Sequence, residues 1–429
     1  MNRKKFVLGL AVLCTATGWA VAQKVNIDAE FRPRGEYRQG YKKPLADSLK
    51  AALVTQQRTR IGFNFENSYL KARVSLQASS VFGENTVKEA TVAGINEAWA
   101  DLLLLPGFSA KIGRQGVQYE DGRIFSMANW SNTGNFHDLA MLKYNSTLFS
   151  GDLGLAYGNK SAVSQESAYL SNPDMYQTMA FLHLEKSFSG GLKATLLGVD
   201  EGFQKGTDNA GIQKRNYRYT TGGTLALNND SVPVNFLLSG YYQFGKGVMP
   251  GKTEFNDLEA YFLSLKVSYT ISKPFALTAG IDYFSGTVTD NIAGKKVNTF
   301  NRFSFSGNHT FNGYMDYWSA LPDGGLLNPY GGANWNISKK LSFSAIYYAF
   351  FLAEDMTVNG SAVDGNIGSE VDLTLKYKLN PETAVEFGWS GYFTTQGYDQ
   401  LKKLAGTNML FPQYAYLMFT VKPKLFTQK

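Results

Sequence analysis

Arginine is the residue in this sequence with the most chemistry to offer, and it is crowded toward one end. Beyond residue 22 there are 11 arginines, and eight of them precede residue 124. Arg32, Arg34 and Arg38 fall at even spacing in one segment with Glu30 and Glu36, and Arg58 and Arg60 repeat the spacing further on. Residues two apart share a face of an extended strand but not of a helix. A guanidinium keeps its charge and offers a planar fork that grips carboxylates two oxygens at a time. A row of them on one face is therefore a surface for anions, or, with acids interleaved, a set of structural charge pairs.

Other chemistries find less support. The three histidines are His137, His183 and His309. None lies in a nucleophile motif, and each reads as a neutral surface residue rather than a general base. His and Cys show no metal-ligand spacing, and no phosphate-binding or dinucleotide glycine pattern occurs. No catalytic residue, metal or cofactor is expected.

The elements that must carry the arginines have a period of two. Phe275, Leu277, Ala279, Ile281 and Tyr283 alternate with Thr278, Gly280 and Asp282. Leu263, Leu265, Val267 and Tyr269 alternate with Ser264, Lys266, Ser268 and Thr270. Phe236, Leu238, Tyr242 and Phe244 oppose Asn235, Ser239 and Gln243, and Val371–Leu379 and Val385–Phe393 follow suit. Such segments are strands with one apolar and one polar face. Composition agrees: 14% aromatic, 18% charged and 43 Gly suit neither a disordered chain nor a helical bundle. Beyond residue 22 no apolar run reaches the length of about 18 residues that a spanning helix needs.

The connections alternate in length. Short turns are expected near 66–69, 105–107, 146–150, 188–191, 228–233, 272–274, 338–340 and 380–383. Long polar loops are expected near 39–52, 82–94, 116–135, 159–174, 201–213, 245–256, 285–324, 353–366 and 395–410. These 17 connections imply a transmembrane antiparallel β-barrel of about 18 strands, all-β, with short periplasmic turns and long extracellular loops. An even count puts both termini in the periplasm, and a barrel of this size has room for water in its lumen. A secreted soluble sandwich or propeller is the alternative. Aromatics gathered near strand boundaries (Phe63, Tyr69, Phe108, Tyr144, Tyr269, Tyr283) favour the barrel. The chain ends Phe426-Thr427-Gln428-Lys429 rather than on an aromatic residue, as such barrels often do.

Strand parity then places the charges. In the first strand Val25, Ile27, Ala29 and Phe31 face lipid, which turns Glu30, Arg32, Arg34, Glu36 and Arg38 inward. In the second, Ile61, Phe63 and Phe65 face lipid and Arg58 and Arg60 turn inward. In the third, Val74 and Leu76 face lipid and Lys71 and Arg73 turn inward; Lys111 follows on the fifth. Adjacent strands lie about 5 Å apart, so these cations form one basic patch, partly paired with Glu30, Glu36, Glu97 and Asp101. Inward Trp99, Tyr241, Tyr348 and Tyr392 would stack on sugar rings or pack between strands.

Residues 1–22 have the form of a cleaved export signal: Asn2-Arg3-Lys4-Lys5, a largely apolar stretch from Phe6 to Val21, and the small-x-small site Ala20-Val21-Ala22. Cleavage before Gln23 leaves 407 residues with a net charge of about +4 and no cysteine. A lipoprotein cut before Cys14 would follow the bulky Leu13. The domains expected are thus a signal peptide, 1–22, and a barrel, 23–429.

Several motifs resemble those of the alginate-export family of outer-membrane porins: Arg32-Pro33-Arg34-Gly35-Glu36-Tyr37-Arg38, Gln57-Arg58-Thr59-Arg60-Ile61-Gly62, Glu97-Ala98-Trp99-Ala100-Asp101-Leu102 and Lys111-Ile112-Gly113-Arg114-Gln115. Tyr119-Glu120-Asp121-Gly122-Arg123 and Gly313-Tyr314-Met315-Asp316-Tyr317-Trp318 fit as well. The resemblance implies an 18-stranded barrel whose arginine-lined pore passes a polyuronate. It implies pore roles for Arg32, Arg34, Arg58, Arg60, Arg73 and Arg114, with Arg123 of the loop motif joining the anion-binding set. The expected function is passive passage of anionic solutes, an acidic oligo- or polysaccharide foremost, across the outer membrane of a Gram-negative bacterium. The expected partners are outer-membrane lipid, an anionic sugar polymer or small anion, and periplasmic export or uptake components, but not nucleic acid. A general diffusion porin with structural lumenal charges is the runner-up, and an outer-membrane lipid hydrolase the third reading.

Overall fold

A segment with one apolar and one polar face can cross lipid only if its backbone is paired on both edges, and a closed sheet is what provides that. The computed structural model describes residues 23–428 except 86–88, 160, 163, 165–174, 208–212, 289–295 and 405. The expected signal peptide lies outside the described residues. The first nine strands are β1 (Lys24–Gln39), β2 (Ala52–Glu66), β3 (Leu70–Val81), β4 (Ala93–Leu105), β5 (Phe108–Gln115), β6 (His137–Asn145), β7 (Phe149–Tyr157), β8 (Thr178–Ser187) and β9 (Leu192–Thr207). The second nine are β10 (Gln213–Leu227), β11 (Val234–Val248), β12 (Phe255–Ser272), β13 (Phe275–Phe284), β14 (Leu326–Trp335), β15 (Leu341–Phe351), β16 (Asn366–Asn380), β17 (Thr383–Phe393) and β18 (Gln413–Val421), which resumes as Lys424–Gln428.

Each strand pairs antiparallel with the next. The last returns to the first: Arg34 pairs with Met418 and Val25 with Gln428. The barrel is closed with 18 strands, as the alternation of turns and loops implies. Val25 also pairs with Phe65 beside the first short turn, so both ends of the described chain lie at the short-turn end. Two loops are shorter than expected, because β9 and β10 run to Thr207 and from Gln213, and β11 and β12 to Val248 and from Phe255.

The outward face is apolar, with Phe63, Val74, Leu263, Ile281 and Phe387 all exposed. What period two does not show is the interior. The connection 116–135 and the described residues of 285–324 turn into the lumen, and their aromatics Phe125, Phe300, Phe303 and Phe305 are buried there. They pack on inward residues of the β6–β13 side, including Met141, Phe181, Leu197 and Phe262. Burying each such side chain is worth roughly 1.5–3 kcal/mol. Inward faces thus carry a large apolar share on the β6–β13 side and a row of charges along β1–β3, with further buried charges at Asp282, Glu370 and Asp372.

Candidate functional site

The even-numbered residues of β1 face inward as parity demands: Glu30, Arg32, Arg34 and Glu36 are all buried. Register brings Arg32 opposite Arg58 and Glu30 opposite Arg60. Like charges across a ladder repel, so something must lie between them. Part of it is acid. Arg58 Nε donates to Glu30 Oε1 at 2.6 Å, and Lys422 Nζ stands 3.1 Å from Glu30 Oε2. Arg34 Nε donates to Glu36 Oε1 at 2.6 Å, and Arg38 Nε donates to Glu36 Oε2 at 2.7 Å. Arg73 binds Glu97 and Asp28, each at 2.8 Å.

The other part is the backbone of loop 116–135. Arg32 donates to the carbonyls of Asn129, Trp130 (3.0 Å) and Ser131 (3.0 Å) and to the Asn132 side chain. Arg58 Nη1 reaches Asn129 and Ser131 carbonyls at 3.1 and 2.7 Å, and Arg34 Nη1 reaches that of Trp130 at 2.9 Å. Hydrogen bonds to a charged donor contribute roughly 1.5–3 kcal/mol each. Carbonyl dipoles solvate a guanidinium without cancelling its charge. Among the described residues Arg32 and Arg60 have no carboxylate within ion-pair distance; Arg60 bonds Gln77 at 2.5 Å and lies 5.7 Å from the Phe136 ring. The patch keeps a positive excess where the loop meets the wall.

The same loop is tied at two further places. Tyr119 stacks on His183 at 3.9 Å and donates to Asp152 at 2.8 Å, while Glu120 meets His183 Nε2 at 2.7 Å. Arg123 pairs with Asp282 of β13 at 2.8 Å and lies 3.8 Å over Phe311. Burial pushes the Asp121 carboxyl above the usual range although Arg123 opposes it.

Loop 285–324 is anchored by backbone amides on two buried carboxylates of β16: Met315 N donates to Glu370 at 2.7 Å and Tyr314 N to Asp372 at 3.1 Å. Gly313, with φ +86°, makes this turn; a Cβ there would land on the Glu370 carboxyl. The two loops are knitted together by Ser126 N to Phe305 O (3.1 Å), Gly307 N to Gly122 O (2.9 Å) and Trp130 stacked on His309 at 4.5 Å. His309 Nδ1 meets Asp316 Oδ1 at 2.9 Å, and the Tyr41 hydroxyl donates to Asp316 Oδ2. Burial pushes the Asp316 carboxyl up, but His309 and Tyr41 outweigh it and hold the group below the usual range. Around the knot lie cavities of about 680, 830 and 350 Å³ toward the long loops and one of about 440 Å³ toward the short turns.

The chain's residues 23–400 match the family model described as alginate export. The chain belongs to the alginate export family. Solved structures similar to this alginate-export barrel include Acinetobacter baumannii OccAB1, at 11% identity over 94% of this chain and 97% of that one, with a TM-score of 0.61. Pseudomonas aeruginosa OpdK with vanillate matches at 12% identity, 94% and 99% coverage and TM-score 0.57. The outer membrane protein OprD of the same organism matches at 11% identity, 94% of each chain and TM-score 0.57. No curated protein matches the chain. Family and fold together make it an outer-membrane β-barrel channel.

The sequence-expected residues of the alginate-export barrel fall into three groups. Arg32, Arg34, Arg38, Arg58, Arg60 and Arg73 come together with Glu30, Glu36 and Glu97. Lys71 and Lys111 share the wall but stand apart, Lys71 3.4 Å from Glu66 and Lys111 3.8 Å over the Trp99 ring; Asp101 faces both across the ladder. Arg114 takes the parity of lipid-facing Ile112 and pairs with Asp138 at 2.8 Å, away from the cluster, and Arg123 is buried against Asp282. The histidines are not surface residues: His137 and His183 are buried, and all three hold hydrogen bonds, His137 to Tyr176 at 2.7 Å. The inserted loops cover them. Tyr241, Tyr348 and Tyr392 are buried too, Tyr392 under Tyr317 at 4.2 Å. Missing from the expected set are Asp28, which shares Glu30's parity, and Lys422, Asp282, Glu370 and Asp372, whose partners lie far off in sequence.

Proposed function

We propose that this barrel passes anionic solutes by passive transport, with acidic oligo- and polysaccharides such as a polyuronate as the principal class. The observation that carries the reading is the pair Arg32 and Arg60, held among carbonyls and amides with no carboxylate partner among the described residues. Cations kept charged beside a constricting loop raise the local anion concentration. Membership of the alginate export family supports the substrate class, and a structural neighbour crystallised with vanillate, itself a carboxylate, is consistent with it. The ties of all three histidines to loop and wall partners support a channel over a hydrolase. In this reading 1–22 is removed on export, and the short-turn end meets the periplasmic export or uptake partners.

Bilayer reversal potentials under a salt gradient test it. An anion-selective sign is expected, shrinking in Arg60→Gln, which removes a charge without orphaning an acid. A cation-selective pore, or an unchanged potential in that variant, overturns it. The interleaved acids Asp28, Glu30, Glu36 and Glu97 favour the general diffusion porin as second reading; near-zero selectivity would establish that instead.

A further inference from the structure

We infer that the cavity of about 680 Å³ at the long-loop end is a capture site for polyanions that counts charges and does not read sugar rings. The inference rests on the anion-channel reading. The cavity is lined by five cations, Arg34 and Arg38 from β1 and Lys42, Lys43 and Lys50 from the connection 40–51, against two acids. Both acids are already engaged. Glu36 lies between Arg34 and Arg38, and Asp316 between His309 and Tyr41. Five cations against two acids leave three positive charges over. The three lysines are exposed.

The lysines stand on a fixed base. Lys42 N donates to Met315 O at 2.9 Å, Tyr41 stacks on Tyr414 at 4.7 Å, and Asp47 N donates to Asn408 O at 3.1 Å. The connection is thus seated on loop 285–324, on β18 and on the residues just before β18, and the charges stand at the entrance to the lumen rather than on a free tail. The volume is within the range of small-molecule sites.

The aromatic groups exclude the other ligand class. A neutral sugar binds by laying its ring on an open aromatic face. Trp130 has Arg34 at 4.2 Å and His309 at 4.5 Å. Tyr41 has Tyr414 at 4.7 Å, with Arg38 and Lys42 at 5.2 and 5.4 Å. Neither ring offers a platform. What is left is flexible ammonium groups, which bind as point charges and tolerate any scaffold that carries several anions.

The test is single-channel block of the reconstituted full barrel at low salt, with trigalacturonate, tripolyphosphate or maltotriose added to each chamber in turn. Trigalacturonate and tripolyphosphate should block with a faster on-rate from one chamber than the other, and maltotriose from neither. The triple variant Lys42→Gln, Lys43→Gln, Lys50→Gln should slow that on-rate by about tenfold, the lower end of electrostatic steering, and erase the asymmetry. It should keep the anion-selective reversal potential. Lys→Arg at all three positions should restore the asymmetry. Symmetric block, an unaffected triple variant, or one-sided maltotriose block in an anion-selective pore overturns the capture site alone. A cation-selective unmodified pore overturns the reading beneath it.

Discussion

Arg34 holds its guanidinium 4.2 Å over the Trp130 ring and donates from Nη1 to the carbonyl of the same residue at 2.9 Å. One side chain thus fixes both the ring and the backbone of the loop residue that joins the basic wall to His309. The expected consequence is that the arginine patch positions a constriction as well as attracting anions.

Arg34→Lys separates the two roles. Lysine keeps the charge but cannot stack, bond Glu36 and bond a carbonyl from one planar group. The reversal potential should keep its sign while open-channel current noise rises as loop 116–135 loosens. Single-channel recording checks both, and a quiet channel would show that the stack does not hold the loop.

The barrel was legible because lipid imposes alternation along every strand, and so were the faces of β1 to β3. The occupants of the lumen were not. Arg32 reads from sequence as a pore cation, but its partners are carbonyls about 100 residues away, and no pattern marks a carbonyl. Alternation along Val371–Leu379 gives Asp372 a polar face and no role, and leaves Glu370 out; only the fold shows that the two receive the amides of Tyr314 and Met315. Arg114 follows the family motif, yet it carries the parity of Ile112 and departs from the cluster.

Arg58→Met should be the most costly change in the wall. It leaves Glu30, which is 8% exposed, with Lys422 alone, and removes the two hydrogen bonds that Arg58 donates to loop carbonyls. Breaking a buried pair from one side costs about 3–5 kcal/mol. The temperature at which the barrel unfolds on gels should fall. Adding Glu30→Leu should recover much of the loss, because the orphaned charge goes too. A double variant no better than the single would mean that the cost lies in the loop bonds, not the pair.

Gly313→Ala should detach loop 285–324 from β16. Its φ of +86° costs an L-residue roughly 1–2 kcal/mol, and the added methyl would meet the Glu370 carboxyl that holds Met315 N. A larger conductance with the fold intact is the expected result. Ala at Gly360, where φ is +79° and no atom lies within 4 Å of a Cβ, is the matched control for backbone strain alone and should leave conductance unchanged.

Acidification should act on the two loops with opposite signs. Asp316 is held below its ordinary value, so the stability it contributes is full above the unfolded value of about 3.9 and is lost as pH falls through the lower folded value. Asp121 is pushed up by burial, so its charge opposes the folded loop near neutrality and protonation relieves it on the way down. From pH 7 to about 4 the knot should hold or tighten. Below about 4 the Asp316 tie to His309 and Tyr41 should fail, leaving the connection 40–51 held on loop 285–324 by the Lys42–Met315 and Gly40–Tyr317 bonds and raising current noise. Asp316→Ala should show that noise at pH 7 already, with little further rise on acidification. If this variant is quiet at neutral pH, or the unmodified channel becomes noisy between pH 6 and 5, the Asp316 tie is not what steadies the two loops.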